Sequence, residues 1–414
     1  MKIKALRLKK SLLFLSSLLP LALSFSSCGS SENQGTELNI SQTQLEAVVQ
    51  NYADLVLANY QDSYDEALNL EESVNLLLEF QNEENFNQTK TAWLAAREPY
   101  GQSEVYRFYN GPIDDPDTGP ESLLNAWPLD EAYIDYVEGD ANAGIINSLE
   151  TAPIIDAATL ISLNEGQGVE SNVSVGYHAV EFLLWGQDLN TSPGEAGQRS
   201  YLDYFSEGAA PNPDRRKAYL NVATDLIPSQ LEMLVHAWDE EGNNYREEFL
   251  AQDSLSAIQN ILIGMGTLAV GELPSERIEV ALLTGSQEDE HSCFSDNTHR
   301  DITLNLQGIL NVWQGTYTRI DGSIVGDGNL GMKSLFDQVA PEKSQAMQDQ
   351  LEAALLAVDQ MNLAVEEGRP FDQQIINESD RANLQNLITA LQNFGGELVL
   401  AASEGLDLNI TTDL

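Results

Sequence analysis

Basic residues are scarce in this chain. Its 414 residues carry 20 Lys+Arg against 65 Asp+Glu, a formal charge of −45 at pH 7, which excludes nucleic acid as a partner and repels anionic lipid head groups. Five of the basic residues (Lys2, Lys4, Arg7, Lys9 and Lys10) fall within the first 27 positions, where there is no acid. The rest of the chain holds 15 against 65, a charge of −50. Cysteine is rarer still, with two residues and no Cys-x-x-Cys pair. Histidine occurs only at 178, 236, 291 and 299, without a His-Glu-x-x-His motif, and there is no Gly-x-Ser-x-Gly elbow. The common zinc-protease, dithiol and serine-hydrolase templates are therefore excluded. Sustained period-2 alternation is nearly absent, which argues against a sheet-built fold. The run from Gly326 to Gly331 fits Gly-x-Gly-x-x-Gly, but no βαβ unit surrounds it, and it reads as a turn before a helix over 332–339.

What is present begins with a three-part N-terminus: a basic stretch to Lys10, an apolar run over 12–23 broken by serines and Pro20, and small residues before Cys28. This is the pattern of a secretory signal, too short and broken to span a bilayer. Phe25-Ser26-Ser27-Cys28-Gly29-Ser30 resembles a bacterial lipobox, although Phe25 replaces the usual leucine. The expectation is a signal peptide over 1–27, a lipid on Cys28 and a polar tether over 28–40; a plain signal peptide cut nearby is the alternative. The location that follows is the cell envelope, in the periplasm or at the outer membrane as a lipoprotein, with the membrane touched only through the anchor. A lipidated Cys28 leaves Cys293 alone, so no intrachain disulfide forms.

Beyond the tether the pattern is helical. Leu45, Val48, Val49, Tyr52, Leu55 and Val56 recur at three- and four-residue spacing behind a Ser41/Gln44 capping box. The same period continues over 74–80, 86–100, 219–238 and 255–283, then from Met347 to Val365 and from Leu384 to Phe394. With 42% hydrophobic residues the chain has enough apolar surface for a large core. The predicted class is all-α: two helical bundle-like halves, 41–240 and 241–414, joined by long ordered loops at 110–120, 186–213 and 284–300. Trp93 with Tyr100 and Trp313 with Tyr317 form a weak internal echo between the halves.

One constellation carries chemistry. In Gly176-Tyr177-His178-Ala179-Val180-Glu181, His178 and Glu181 lie three residues apart and share a helix face, where imidazole and carboxylate can meet one cation. Gly176 allows a close approach by a helix or ligand. Val175, Ala179, Val180, Phe182, Leu183 and Leu184 draw the pair inside, and a buried pair needs partners. The alternative is a hydrogen-bonded pair with no metal.

The segment Gly176 to Leu189 resembles the imelysin family, in particular its iron-regulated protein A branch. Two further blocks are similar to the same branch: Trp93 to Tyr100 continuing through Phe108 and Gly111 to Asp114, and Glu288 to Asp301. The resemblance covers most of residues 40–400. It implies an exported all-α protein of two helical halves, a site near their junction, and a role in iron acquisition with iron-transport partner proteins. Some family members are classed as peptidases, so enzymatic activity stays open. A catalytic zinc site takes three protein ligands, an open position and a base, whereas the motif supplies two ligands and no separate base. Cation binding is therefore preferred to proteolysis. Iron is the favoured metal, free or as a chelate, with zinc or calcium as alternatives, because the chain is rich in hard oxygen donors. A non-metal module for haem or an organic ligand is the remaining class.

Around this pair, Glu98 is a candidate third ligand, with an ion pair to Arg97 or Arg107 as the competing reading. Asp188 is a candidate acceptor for His178. Ser292, Ser295, Asp296, Asn297 and Thr298 are candidates to line the site, and His291 and His299 are weaker candidate ligands. His236 is expected to be structural. Trp185, Tyr201, Tyr204 and Phe205 read as core or loop anchors.

Overall fold

The structure is a computed structural model that describes residues 40–189 and 195–412; the predicted signal peptide and Cys28 lie outside them. Counting residues 254–284 as one helix, eight helices of nine residues or more occur among the described residues: α1 (Gln42–Glu79), α2 (Glu83–Gln102), α3 (Tyr177–Trp185), α4 (Pro213–Trp238), α5 (Ser254–Thr284), α6 (Thr298–Gln314), α7 (Pro341–Glu366) and α8 (Glu378–Leu406). The fold is all-α. The strands named among these residues are β1 (Thr316–Thr318) and β2 (Ile324–Gly326), an antiparallel hairpin with Tyr317 opposite Val325.

The helices start where the sequence supplies caps. Ser41 accepts from the Gln44 amide while the Gln44 side chain reaches back, completing the predicted capping box. Asn82, Asp253 and Asn377 cap α2, α5 and α8 in the same sense. The two periodic stretches at 45–56 and 74–80 belong to one 38-residue helix. The predicted helix at Met332–Val339 is present, and Gly326 to Gly331 follows the hairpin as a turn.

α1 packs against α2 and α4, α7 packs against α8, and α6 packs against α2, so the parts before and after residue 240 meet through α2 and α6. The break at 239–244 separates α4 from a short helix at Tyr245–Ala251. A single core cluster runs across it, from Tyr52, Trp93 and Trp238 to Ile261, Trp313 and Phe394. Leu38–Leu414 forms one compact unit. The hairpin is tied to α1 by fully buried Asp62, which accepts from Tyr317 Oη (2.9 Å), Arg319 Nε (2.9 Å) and Nη2 (2.6 Å), and the Ile320 amide (3.0 Å).

Within α5, residues Leu268–Glu279 wind as a π-helix around Gly271 and Pro274. Wide turns of this kind recur at functional sites, and here the segment directs Glu272, Glu276 and Arg277 toward one cavity. The predicted loops at 110–120 and 284–300 are irregular except for a short 3-10 turn at Gln287–Asp289 and the start of α6 at Thr298.

Candidate functional site

α3 is buried along its whole length, as its apolar sequence requires. It starts at Gly176, whose φ of 90° places it in the region that disfavours side chains; a Cβ there would stand 2.7 Å from the Leu124 carbonyl. The close approach predicted for this glycine is thus made by the backbone of a short helix at Glu121–Leu124.

From α3, His178 and Glu181 meet as the spacing predicts, with Nδ1 2.9 Å from Oε2 and both side chains buried. The other Glu181 oxygen accepts from the Ser295 amide (3.0 Å) and hydroxyl (2.7 Å). Burial pushes the Glu181 carboxyl up to about 8, against the opposing pull of the Ser295 hydroxyl. Burial, together with His291 and Arg97, holds His178 well below the usual imidazole range, so it is neutral. Its Nε2 is buried without a hydrogen-bond partner.

A second pair stands against the first. The rings of His178 and His291 meet edge to face with centroids 4.5 Å apart. His291 Nδ1 lies 2.8 Å from Asp301 Oδ2, which also accepts from the Ser292 hydroxyl, and Arg97 reaches Asp301 Oδ1 from Nη2 at 2.8 Å. Burial opposes ionisation of Asp301, but Arg97 and His291 outweigh it and hold the carboxyl well below the usual range. The network continues through Arg97 Nη1 to Asn125 Oδ1 (2.6 Å), Asn125 to Glu104 (3.3 Å) and Arg277 to Glu104 (2.8 Å). Burial also opposes ionisation of Glu104, yet Arg107 and Arg277 bring it down to about 2.

This network forms one wall of a cavity of about 490 Å³. Five glutamates line it (Glu121, Glu165, Glu170, Glu272 and Glu276) against two arginines, Arg107 and Arg277, with Trp127 and His291 beside them. The arginines pair with Glu104, Glu121 and Glu272, and Glu165, Glu170 and Glu276 have no cation within ion-pair distance among the described residues. The Trp127 ring lies 5.8 Å from that of His291, and its Nε1 donates to the Glu290 carbonyl (3.1 Å).

The remaining sequence candidates fall in several places. Ser292 and Ser295 join the cluster. Glu98 does not: it is half-exposed and forms a two-pronged ion pair with Arg300 (2.9 and 2.7 Å), in place of the Arg97 or Arg107 partner considered from sequence. The acceptor at His178 Nδ1 is Glu181, while buried Asp188 offers its carbonyl to Gln287. Asp296 turns the chain with a φ of 59°, and burial pushes its carboxyl up to about 7 with help from Asp372 and Asp188. His299 bonds the Asp296 carbonyl, and Thr298 accepts from the Ser292 amide. His236, expected to be structural, projects outward beside Asp239 with 70% of its side chain exposed. Trp185 packs on Trp93, and Tyr204 donates to the Leu183 carbonyl. Asp301, Glu104, Asn125, Trp127 and Arg277 were not singled out from sequence. Arg97 directly after the apolar run Trp93-Leu94-Ala95-Ala96 was the available signal, because a buried guanidinium requires a carboxylate.

The donors at the motif do not fit a chelated metal as they stand. Both Glu181 oxygens are engaged and His178 offers only Nε2. Among the described residues no group of three or more His, Cys, Asp or Glu converges in a way that could hold an ion.

These features define an all-α protein in which a buried Gly-x-His-x-x-Glu helix meets, through the His178–His291 ring contact, a residue that lines an acidic cavity. The imelysin family model, labelled peptidase M75, matches residues 56–394, and the chain belongs to that family. It is 25% identical over 344 residues to iron-regulated protein A of Synechococcus elongatus, covering 81% of this chain and 78% of that protein. Two crystal structures share the fold. One, from Parabacteroides distasonis and described as an iron-regulated protein A precursor, has a TM-score of 0.66 at 17% identity, covering 89% of this chain and 97% of that one. The other is an imelysin-like protein from Psychrobacter arcticum with a TM-score of 0.61 at 13% identity, covering 90% and 99%.

Proposed function

We propose that this protein is an exported, lipid-anchored component of iron uptake that holds an iron-bearing cation in the glutamate-lined cavity, with His178, Glu181, His291 and Asp301 fixing the wall behind it. The observation that carries this reading is the lining itself: five glutamates against two arginines around about 490 Å³, three of the glutamates without an ion pair among the described residues. A space of that size is far larger than a bare ion, and its carboxylates do not converge on a point. The cargo that suits it brings its own coordination shell, as a hydrated ion or a chelate, and is held by charge and hydrogen bonds. The family's iron-regulated members support the link to iron. The basic, apolar and small-residue N-terminus ending at Cys28 supports export and anchoring at the cell envelope.

Zinc-type proteolysis gains no support from the donor geometry, because the motif presents a single open nitrogen rather than three ligands around a water position. The test is calorimetric titration of ferric citrate and of hydrated Fe²⁺ into wild type and a Glu165→Gln/Glu170→Gln/Glu276→Gln variant. Saturable binding of one of the two probes, weakened tenfold or more in the variant, is expected. Equal affinity in both proteins, or no binding to wild type, removes the cavity from the proposal.

A further inference from the structure

The 15 basic residues beyond position 27 all lie among the described residues. Twelve of them stand within ion-pair distance of a carboxylate, and Arg215 and Arg381 donate to main-chain carbonyls. Lys90 does neither. Its Nζ lies instead over the rings of Phe86 and Trp185, 5.0 and 5.1 Å from their centroids. Phe86 is one turn back on α2 and Trp185 ends α3, so the amine sits where these two helices pack together. The other α2 positions one turn away, Asn87, Trp93 and Leu94, are uncharged. Both rings are backed by a further ring, Trp185 by Trp93 at 5.3 Å and Phe86 by Tyr204 at 6.0 Å. From the segment after α3, the Arg199 amide donates to the Trp185 carbonyl (2.8 Å), and its guanidinium pairs with Asp135. No acid of α2, of α3 or of that segment comes within ion-pair distance of Lys90 among the described residues. A cavity of about 390 Å³ lined by Tyr136, Trp185, Gln187 and Arg199 opens beside the indole.

We propose that Lys90 is a nucleophilic lysine that takes small aldehydes as covalent ligands, forming an imine against the face of Trp185. A half-buried ammonium ordinarily keeps its proton because a carboxylate meets it, and here none does. The ring faces favour the charged form only weakly. Burial, with the like charge of Arg199 added, outweighs them and brings the amine down to about 8. Desolvation among apolar groups and a second cation nearby are the two arrangements that turn a lysine into an amine nucleophile, and Lys90 has both.

The step balances without a further reactant. The nitrogen lone pair forms the C–N bond to the carbonyl carbon, the carbonyl oxygen takes up a proton, and both amine hydrogens depart with that oxygen as water, leaving C=N. No electron is gained or lost. The cavity beside the indole is large enough for the rest of a small aldehyde, and an aromatic one can lie along the Trp185 ring. The other described lysines supply internal controls, because Lys217, Lys333 and Lys343 each pair with a carboxylate. This inference does not rest on the iron-binding reading and stands or falls separately from the ferric citrate titration.

The test is reductive trapping of the purified full-length protein with benzaldehyde and cyanoborohydride, read lysine by lysine by peptide mass spectrometry. At pH 8 roughly half of Lys90 is the free amine, against about 0.4% of an ordinary lysine near 10.4. Part of that advantage is offset by the lower basicity of the nitrogen, so Lys90 should be trapped at least tenfold faster than Lys217, Lys333 or Lys343. Its rate should level off above about pH 8 while theirs keep rising. Lys90→Arg keeps the charge and the ring contacts and should remove the fast-trapped amine without changing the melting temperature. In denaturing urea the four lysines should react at similar rates, a comparison that needs no substitution. Trapping of Lys90 no faster than the other three in the folded protein, or an excess at Lys90 that persists in urea, overturns the proposal.

Discussion

Replacing Asp301 by Asn tests whether the network behind the cavity is held by charge. Asp301 is fully buried and accepts from Arg97, His291 and Ser292. Asparagine preserves its volume and one acceptor oxygen but removes the negative charge, leaving the Arg97 guanidinium, 1% exposed, with neutral amide oxygens alone, that of Asn125 at 2.6 Å. Removing one member of a buried ion pair costs about 3–5 kcal/mol, because the other charge stays desolvated. That is a large part of a total stability of about 5–15 kcal/mol. Arg97→Met combined with Asp301→Asn removes both charges, so the double variant should be more stable than the sum of the single losses predicts, by about 1–3 kcal/mol. Urea denaturation of the four proteins at pH 7 supplies the cycle. The pH dependence carries a sign: Asp301 is depressed in the folded state, so its contribution is complete above the unfolded carboxyl value near 4 and is lost as pH falls through the folded one. The gap between wild type and Asp301→Asn should therefore close only below about pH 4. A single-variant loss under about 1 kcal/mol, or strict additivity in the cycle, would refute the charge argument.

Three other outcomes are expected. Burial holds the Glu181 carboxyl at about 8 in the folded protein against 4.5 unfolded, so its contribution is full below 4.5 and is lost as pH rises toward 8; melting curves of wild type should fall relative to Glu181→Gln between about pH 4.5 and 8 and run level above it, and parallel curves throughout would contradict this. Glu98→Ala should cost about 1 kcal/mol or less, since its pair with Arg300 is half-exposed, and should leave ferric citrate binding unchanged; a fall in affinity would restore Glu98 as a ligand. Asp62→Ala should destabilise the protein by about 3 kcal/mol and speed amide exchange across 316–326, because four hydrogen bonds to the hairpin end on that one carboxylate; unchanged exchange there would show that the hairpin is held by other contacts.

The helices were legible because their signals are local. Capping at Ser41, the 3.6-residue period on each long helix and the scarcity of alternation are written within a few residues of where they act, and the structure follows them closely. The His178–Glu181 contact was legible for the same reason, three residues apart on one turn. What surrounds it was not. Asp301 meets Arg97 across 204 positions of chain and Arg277 meets Glu104 across 173, and no periodicity encodes which carboxylate a buried arginine will find. Glu98 shows the reverse error: adjacency to Arg97 suggested shared duty, yet neighbouring residues on a helix point in different directions, and Glu98 faces outward to Arg300 while Arg97 faces the core. His236 lies outside the site, since the apolar residues around it occupy the inner face of α4 and leave its own position to solvent.

The distribution of charge gives the site its character. With few cations available, the chain places Arg97, Arg216 and Arg277 in its interior, each against a carboxylate, and the surface is left strongly acidic. A buried arginine paired in this way fixes the position of several backbone segments at once, because its planar fork can engage partners on more than one side. Arg97 holds α2, the 121–125 turn and the start of α6 together, and Arg277 holds the π-segment of α5 to Glu104 beside the same cavity. Glu121 and Glu272, on these fixed segments, are therefore presented at set positions, each ion-paired to Arg107 or Arg277. The motif that first drew attention, His178 with Glu181, sits one layer deeper, and through Ser295 and the His291 ring it fastens the 286–297 loop to α3. Its chemistry as built is that of a neutral clamp, and the cation binding proposed above would fall to the carboxylates that line the cavity.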